Sequence, residues 1–268
     1  MSDLTLNAAA VRQKLTDFIR AQVTGAGLSR AVLGLSGGID SALSCWLAAE
    51  ALGPQNVLAV RMPYRTSAPD SLEDAQRLID ATGVQALTIP ITPMVEPLFE
   101  RFPEMSAVRR GNIMARTRMV ALFDQSAAFG ALVVGTGNKT EALLGYTTLY
   151  GDSACAFNPL GDLYKTQVRQ LSRALGLPAS ILDKAPSADL WQGQTDEGEL
   201  GFTYAEVDRL LFQLVDERRT PEECLAAGFD PGFVRAVIHR VRRNRFKAQL
   251  PPVPQINAHP TSEELLFI

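Results

Sequence analysis

The chain has 268 residues, 46% hydrophobic, 21% charged and 7% aromatic, which leaves ample apolar side chains for a core. Lys+Arg 26 against Asp+Glu 29 gives a formal charge of −3. That balance excludes a basic coat for nucleic acid and an acidic, disordered chain. Cys45, Cys155 and Cys224 form no CxxC pair and suit a reducing cytoplasm, and His239 and His259 are too few for a histidine-rich metal site. No apolar run approaches the ~18 residues of a membrane span, and the start lacks the basic-then-apolar layout of a secretion signal.

In chain order, Val11, Leu15, Phe18, Ile19 and Val23 predict an amphipathic helix over 8–23. Ala31 to Leu35 reads as a first strand, broken at Ser36-Gly37-Gly38 and running into a helix from Ala42 to Leu52. Val57 to Met62 is a second strand, and Ser71 to Thr82 a helix for which Ser71 and Asp74 offer a capping box. Gln85 to Ile91 is a third strand closed by Thr92-Pro93. A long helix from about Arg109 to Phe129 precedes a fourth strand at Ala131 to Val134. Such alternation predicts a doubly wound α/β fold, a parallel sheet of about five strands with helices on both faces. A glycine-rich stretch to Asp162 then leads to a helix from Thr166 to Leu175. Thr220-Pro221 and Asp230-Pro231 mark helix starts, the last helix runs from about Phe233 to Lys247, and an extended tail covers 251–268. The length fits one domain over 1–268 with a C-terminal helical extension.

The segment Leu35-Ser36-Gly37-Gly38-Ile39-Asp40-Ser41 carries the chemistry. Two adjacent glycines let successive N–H groups point into one concavity, and the following helix adds its unpaired N–H groups and positive dipole end. Ser36 and Ser41 supply hydroxyls, and Asp40 at the rim is placed to take Mg²⁺ bridging phosphates. Gly34 to Gly38 also satisfies G-x-S-x-G, but a hydrolase needs a triad histidine, and His239 and His259 sit in a basic helix and a Pro-rich tail. Gly137-Asn138-Lys139-Thr140 misses the Walker A spacing, which disfavours P-loop NTPase chemistry.

The loop Ser36 to Ser41 is similar to the SGGxDS loop of the N-type ATP pyrophosphatases. Further segments resemble, in order and spacing, the motif series of the NAD(+) synthetase family over roughly residues 8–255. These are Met62 to Arg65, Arg109 to Ile113 with Ala115 to Met119, Gly135 to Glu141, Tyr150-Gly151-Asp152, Asp162 to Thr166, and Pro186 to Leu190. The resemblance implies an adenine nucleotide alpha-hydrolase-like fold and a two-step amidation. In the first step the carboxylate of deamido-NAD is adenylated by ATP and pyrophosphate leaves. In the second, ammonia displaces AMP to give NAD. Carried over position by position, Gly34, Leu35, Ser36, Gly37, Gly38, Ile39, Asp40 and Ser41 hold the ATP phosphates, with Thr136, Lys165 and Ser187 as further ATP contacts. Asp40 and Glu141 are the Mg²⁺ ligands, Asp40 and Lys165 the catalytic pair, and Arg116, Asp152 and Lys247 the contacts to deamido-NAD.

The chain departs from the ammonia-dependent pattern at Leu149, Ala156 and Phe246, where those members carry Lys, Asp and His that touch deamido-NAD. Tyr146 to Asp152 instead resembles the same segment in the synthetase domains of glutamine-dependent relatives, which marks a subgroup. The alternatives are a sister ligase amidating another carboxylate and a nucleotide-binding protein without catalysis; Asp40, Glu141 and Lys165 speak against the second. The synthetase motifs begin within the first 36 residues, so no nitrilase-like glutaminase domain is expected, and ammonia comes from solution or a separate glutaminase. The resemblance also suggests a homodimer. The last helix carries Arg235, Arg240, Arg242, Arg243, Arg245 and Lys247, a set better read as bordering substrate phosphates or a salt-bridged surface than as binding nucleic acid. Cys45 is expected in the core.

Overall fold

The computed structural model describes residues 4–187, 194–249, 251, 252 and 254. Its first half alternates α1 (Ala8–Gly25), β1 (Arg30–Gly34), α2 (Ile39–Leu52), β2 (Val57–Arg61), α3 (Pro69–Thr82), β3 (Gln85–Thr88), α4 (Thr92–Arg101), α5 (Ala107–Phe129) and β4 (Ala131–Val133). All pairings are parallel and the strand order is β3-β2-β1-β4. The described sheet has four strands. Beside β4, where a fifth would lie, the chain makes a single parallel bridge from Val134 to Phe157. The glycine-rich sequence around that bridge supplies no run of side chains to extend it.

Successive strand residues face opposite sides, and this divides the core in two. Ala31 and Leu33 of β1 with Val57 and Ala59 of β2 pack among α1, α2, α3 and the helix at 165–174. Val32, Leu58, Val60 and Val133 face α4 and α5 on the other side. Edge strand β3 is largely exposed. Cys45 lies fully buried as expected, and burial pushes its thiol up to about 12.

Helix ends follow local chemistry. The Asn7 side chain accepts from the Ala10 N–H at the start of α1, and α5 stops at Gly130 in the left-handed conformation. The expected Ser71–Asp74 capping box does not form: α3 begins earlier, at Pro69, and both side chains are drawn to Lys184 instead. The third strand ends at Thr88, short of the expected Ile91, and the unexpected helix α4 begins at Thr92. Pro93 in its first turn lacks an N–H the helix would leave unpaired, whereas Pro97 lies inside the helix and removes the bond to the Pro93 carbonyl.

The second half holds α6 (Lys139–Leu144), α7 (Lys165–Ala174), α8 (Ala179–Leu182), α9 (Asp196–Leu200), α10 (Tyr204–Leu211), α11 (Pro221–Ala226) and α12 (Pro231–Asn244). Thr220 and Asp230 cap α11 and α12 as their Thr-Pro and Asp-Pro pairs predict. A third apolar cluster, with Leu144, Tyr204, Val207, Leu210, Cys224 and Val237, joins α6 to α10, α11 and α12. Ala188 to Leu190 of the Pro186 motif, and the tail apart from Pro251, Pro252 and Pro254, lie outside the described residues.

Leu33 is fully buried between the first sheet face and its helices. Truncation to Ala leaves a cavity, with an expected loss of about 3 kcal/mol in stability, read from the denaturant midpoint.

Candidate active site

β1 feeds α2 on one side of the sheet, whereas the next strand on its other side is β4, so the strand order reverses between β1 and β4. Loops leaving the carboxyl ends of strands on either side of such a switch point line a common crevice. From β1 comes the diglycine loop; from β4 comes the Gly135–Asn138 connection into α6.

Gly37 has φ +82°, and a Cβ built there would stand 2.1 Å from the Ser71 carbonyl oxygen. Only glycine meets both constraints, and the loop lies directly on the first turn of α3. The hydroxyls brace the turn. Ser36 Oγ and Ser41 Oγ are 3.0 Å apart, the Gly38 N–H donates to Ser36 Oγ at 3.2 Å, and Ser41 Oγ donates to the Gly38 carbonyl at 2.9 Å. Asp40 follows in the first turn of α2, at its positive end. Across the crevice, half-buried Thr136 follows Gly135, where a Cβ would meet Cys155 Sγ at 2.7 Å.

Lys165, only 3% exposed, opens α7 and reaches into this crevice. Its Nζ donates to Asp40 Oδ2 and, at 3.2 Å, to Glu141 Oε1. Three residues separated by up to 125 positions thus meet in one ion cluster. Asn138, fully buried, holds the carboxylates in place. Its Nδ2 donates to Asp40 Oδ1 at 2.9 Å, while its Oδ1 accepts from the Glu141 N–H and its own N–H donates to Glu141 Oε2 at 3.2 Å. Burial lifts the Glu141 carboxyl to about 7, with the Lys165 charge opposing and the Asp40 charge adding to that rise. Burial also works to lower Lys165, but the Asp40 and Glu141 charges outweigh it and hold the ammonium protonated above its ordinary range.

A further shell fixes the lysine. The Lys165 N–H donates to Thr140 Oγ1 at 3.0 Å, and Thr140 Oγ1 donates to buried Asp208 at 2.6 Å. Asp208 also accepts from the Thr166 N–H at 2.8 Å, so one carboxylate on α10 ties α6 to the start of α7. The Lys165 Nζ stands 5.2 Å from the centre of the Tyr204 ring, and the Tyr204 hydroxyl donates to buried Asp196 at 3.0 Å. Sequence reading missed Asp196, Tyr204 and Asp208, which announce themselves by no local spacing. Asn138 was not singled out either, although the Asn138-x-x-Glu141 capping-box pattern is a local signal that could have found it.

Arg116, Asp152 and Lys247 converge on one loop. Arg116 donates to the Leu149 carbonyl at 3.2 Å, Asp152 accepts from the Thr148 N–H at 2.7 Å, and Lys247 donates to the Gly145 and Thr147 carbonyls at 2.8 Å each. In this structure all three brace the loop's backbone. Ser187 lies exposed at the edge of the described residues, next to Pro186, whose carbonyl accepts from the Asp196 N–H at 3.0 Å.

Among the described residues no three His, Cys, Asp or Glu side chains gather to hold a metal. Two carboxylates are nevertheless what Mg²⁺ takes when substrate phosphates and water complete its shell. The Lys165 ammonium already shows that Asp40 and Glu141 converge on one cation, so the pair fits that ion.

A switch-point crevice floored by a diglycine loop, with a lysine between two carboxylates, defines a nucleotide-binding α/β enzyme. The family model described as NAD synthase matches residues 11–251, and on that match the chain belongs to the NAD synthase family. The chain is 53% identical over 267 residues to an NH(3)-dependent NAD(+) synthetase of Trichlorobacter lovleyi, covering 100% of this chain and 98% of that one. Among solved structures, the NH3-dependent NAD synthetase from Campylobacter jejuni in complex with the nitrate ion is similar at TM-score 0.80. It is 35% identical, with 93% of this chain and 100% of that chain covered. The structure of NMN synthetase from Francisella tularensis is similar at TM-score 0.83 and 32% identity, covering 94% and 100%.

At Gly37 the sign of a test is set by geometry. Gly37→Ala forces a disfavoured φ and a clash with the Ser71 carbonyl, so the loop must shift. The expected outcome is loss of measurable ATP binding by calorimetry, with the far-ultraviolet circular dichroism of the sheet and helices retained.

Proposed function

We propose that this chain is an ammonia-dependent NAD(+) synthetase acting as one synthetase domain, with ATP as co-substrate and Mg²⁺ between Asp40 and Glu141. The observation that carries the reading is the meeting of Asp40, Glu141 and Lys165 beside the diglycine loop, supported by relatives of that name along the whole chain. A carboxylate is a poor acyl donor because oxide would have to leave. In the first step a carboxylate oxygen of deamido-NAD attacks the α-phosphorus of ATP, the bond to the bridging oxygen breaks, and pyrophosphate departs. In the second, ammonia attacks the acyl carbon, the bond to the adenylate oxygen breaks, AMP leaves, and the nitrogen gives up a proton.

The chain's residues contribute mainly positioning and charge. The Gly37 N–H, the first N–H groups of α2 and the positive end of that helix face the phosphates, while the Ser36 and Gly38 N–H groups bond to Ser41 Oγ and Ser36 Oγ and keep the turn closed. Lys165 stays protonated within its cluster and neutralises charge building on the departing pyrophosphate. Asn138 aligns the two carboxylates, and when bound between them Mg²⁺ supplies Lewis-acid polarisation of phosphate oxygens. Thr136 and Ser187 flank the nucleotide. Arg116, Asp152 and Lys247 shape the 145–152 loop against the acyl substrate.

A second reading, a sister ligase for a different carboxylate, is favoured by half-buried Leu149, exposed Ala156 and Phe246 at 58% exposure where polar contacts are expected. The likeness to an NMN synthetase makes nicotinic acid mononucleotide the acid to compare. Exposed apolar side chains on α4 (Met94, Leu98), just beyond it (Phe102) and on α5 (Val108, Val120, Phe123) support a homodimer through these helices. Three free cysteines fit a cytoplasmic enzyme, among the described residues no helix is long and apolar enough to cross a membrane, and ammonia arrives from solution or from a separate glutaminase.

Incubation with ATP, Mg²⁺, ammonium and deamido-NAD is expected to yield AMP and NAD in equal amounts. AMP formed only with nicotinic acid mononucleotide in place of deamido-NAD promotes the second reading. Asp40→Asn is expected to slow AMP release about 100-fold or more while leaving the melting transition cooperative. Sedimentation should give twice the chain mass, and Phe123→Glu should return the monomer.

A further inference from the structure

The phosphate-binding loop does not rest on the sheet alone. At Gly37 its backbone touches the Ser71 carbonyl, in the first turn of α3. Ser71 and Asp74 of that turn are 7% and 3% exposed, and both bond to one residue far along the chain. Lys184 Nζ donates to Ser71 Oγ at 3.0 Å and to Asp74 Oδ2 at 3.2 Å, and pairs with exposed Asp70 at 3.3 Å. Ser180 of α8 hydrogen-bonds to Asp74 as well, and Arg77 donates to its other oxygen at 2.8 Å. Burial alone raises the Asp74 carboxyl, and these donors with the Lys184 charge reverse that and hold it below the usual carboxylate range. A carboxylate kept charged in such a place acts as a fixed anchor.

Lys184 stands three residues before Ser187. Just beyond it, the Pro186 carbonyl accepts from the N–H of Asp196, the residue that holds the Tyr204 ring beside Lys165. The 184–187 segment is therefore pinned at both ends, to the support of the phosphate loop and to the wall behind the catalytic lysine. We propose that Lys184, clasped by Ser71 and Asp74, is a positioning residue that sets the spacing between the diglycine loop and the Ser187 segment, and with it the affinity for ATP. The inference rests on the reading of this crevice as the ATP site. It assigns no chemistry to Lys184, which touches neither the diglycine loop nor the ion cluster directly.

The test compares Lys184→Met with Arg77→Met. Arg77 is half-exposed and supports the same carboxylate, but it lies on α3 itself and ties nothing to the Ser187 segment. ATP affinity is measured by calorimetry with Mg²⁺ and no acyl substrate, and KM and kcat are then measured with deamido-NAD. Lys184→Met is expected to weaken ATP binding and raise KM for ATP about ten-fold, with kcat at saturating ATP within two-fold of the parent. Arg77→Met is expected to leave both values within two-fold, and Asp74→Asn combined with Lys184→Met should add little to Lys184→Met alone. Where Lys184→Met does not yield folded protein, Ser71→Ala removes only the hydroxyl bond and is read in the same way. Unchanged ATP affinity in Lys184→Met, or an equal loss in Arg77→Met, overturns the proposal. A parent protein that binds ATP but does not turn over deamido-NAD sinks the substrate reading and leaves this one to the calorimetry; a parent that binds no ATP sinks both.

Discussion

One buried ammonium holds the catalytic end of this molecule together. Lys165 is 3% exposed, and a charge so placed is tolerated only when paired and hydrogen-bonded. Its partners, Asp40 and Glu141, come from the first turns of α2 and α6, the helices that follow β1 and β4, so the ion cluster ties both sides of the switch point to α7. Removing one member of such a cluster typically costs about 3–5 kcal/mol, because the charge left behind stays buried. A lysine has three donors. Two are spent on carboxylates, and the cation also lies beside the Tyr204 ring, so the side chain is fixed in direction as well as in charge. Such a cation is oriented before any ligand arrives, and no ordering of a flexible side chain is left to be done.

The C-terminal helices serve that same arrangement. Asp208 on α10 accepts from Thr140 of α6 and from the Thr166 N–H of α7, so it fixes the angle between the helices that carry Glu141 and Lys165. The apolar cluster joining α6, α10, α11 and α12 supplies the burial that makes Asp208 inaccessible and its hydrogen bonds obligatory. At the other end, Asn244 donates to the Leu144 carbonyl, and Gly145 is so close that a Cβ there would sit 2.2 Å from Asn244 Cβ. The extension is thus part of the active-site frame.

Local patterns revealed what depends on neighbours in sequence. The four strands, the diglycine turn and the Thr-Pro and Asp-Pro helix starts each rest on residues within a few positions of one another. What the sequence concealed depends on distance along the chain. Nothing near Asp196, Tyr204 or Asp208 signals that they stand behind a lysine 31 to 43 positions earlier, since a hydrogen bond across a fold leaves no period. Ser71 and Asp74 show the same limit in reverse: their spacing satisfied a capping pattern, yet a lysine 110 or more positions away drew both side chains off the helix end. Thr92-Pro93 read as a strand terminator because proline stops strands, but proline is equally at home in the first turn of a helix, and α4 forms there.

The 145–152 loop is built on a different principle from the ion cluster. In the cluster, side-chain charges face one another. Around the 145–152 loop, charged side chains are turned onto backbone: Arg116 to the Leu149 carbonyl, Lys247 to the carbonyls of Gly145 and Thr147, Asp152 to the Thr148 N–H. Tyr150, with φ +58° and 53% exposure, sits at the tip of this braced segment, in a conformation non-glycine residues seldom adopt. Such strain persists only where surrounding bonds over-determine the backbone, and three charged side chains plus the Thr148–Asn112 hydrogen bond at 2.8 Å do so here. Replacing polar residues by Leu149, Ala156 and Phe246 removes side-chain contacts but leaves that brace untouched. A loop braced through its carbonyls and N–H groups keeps a shape that does not depend on the side chains at 149, 156 and 246.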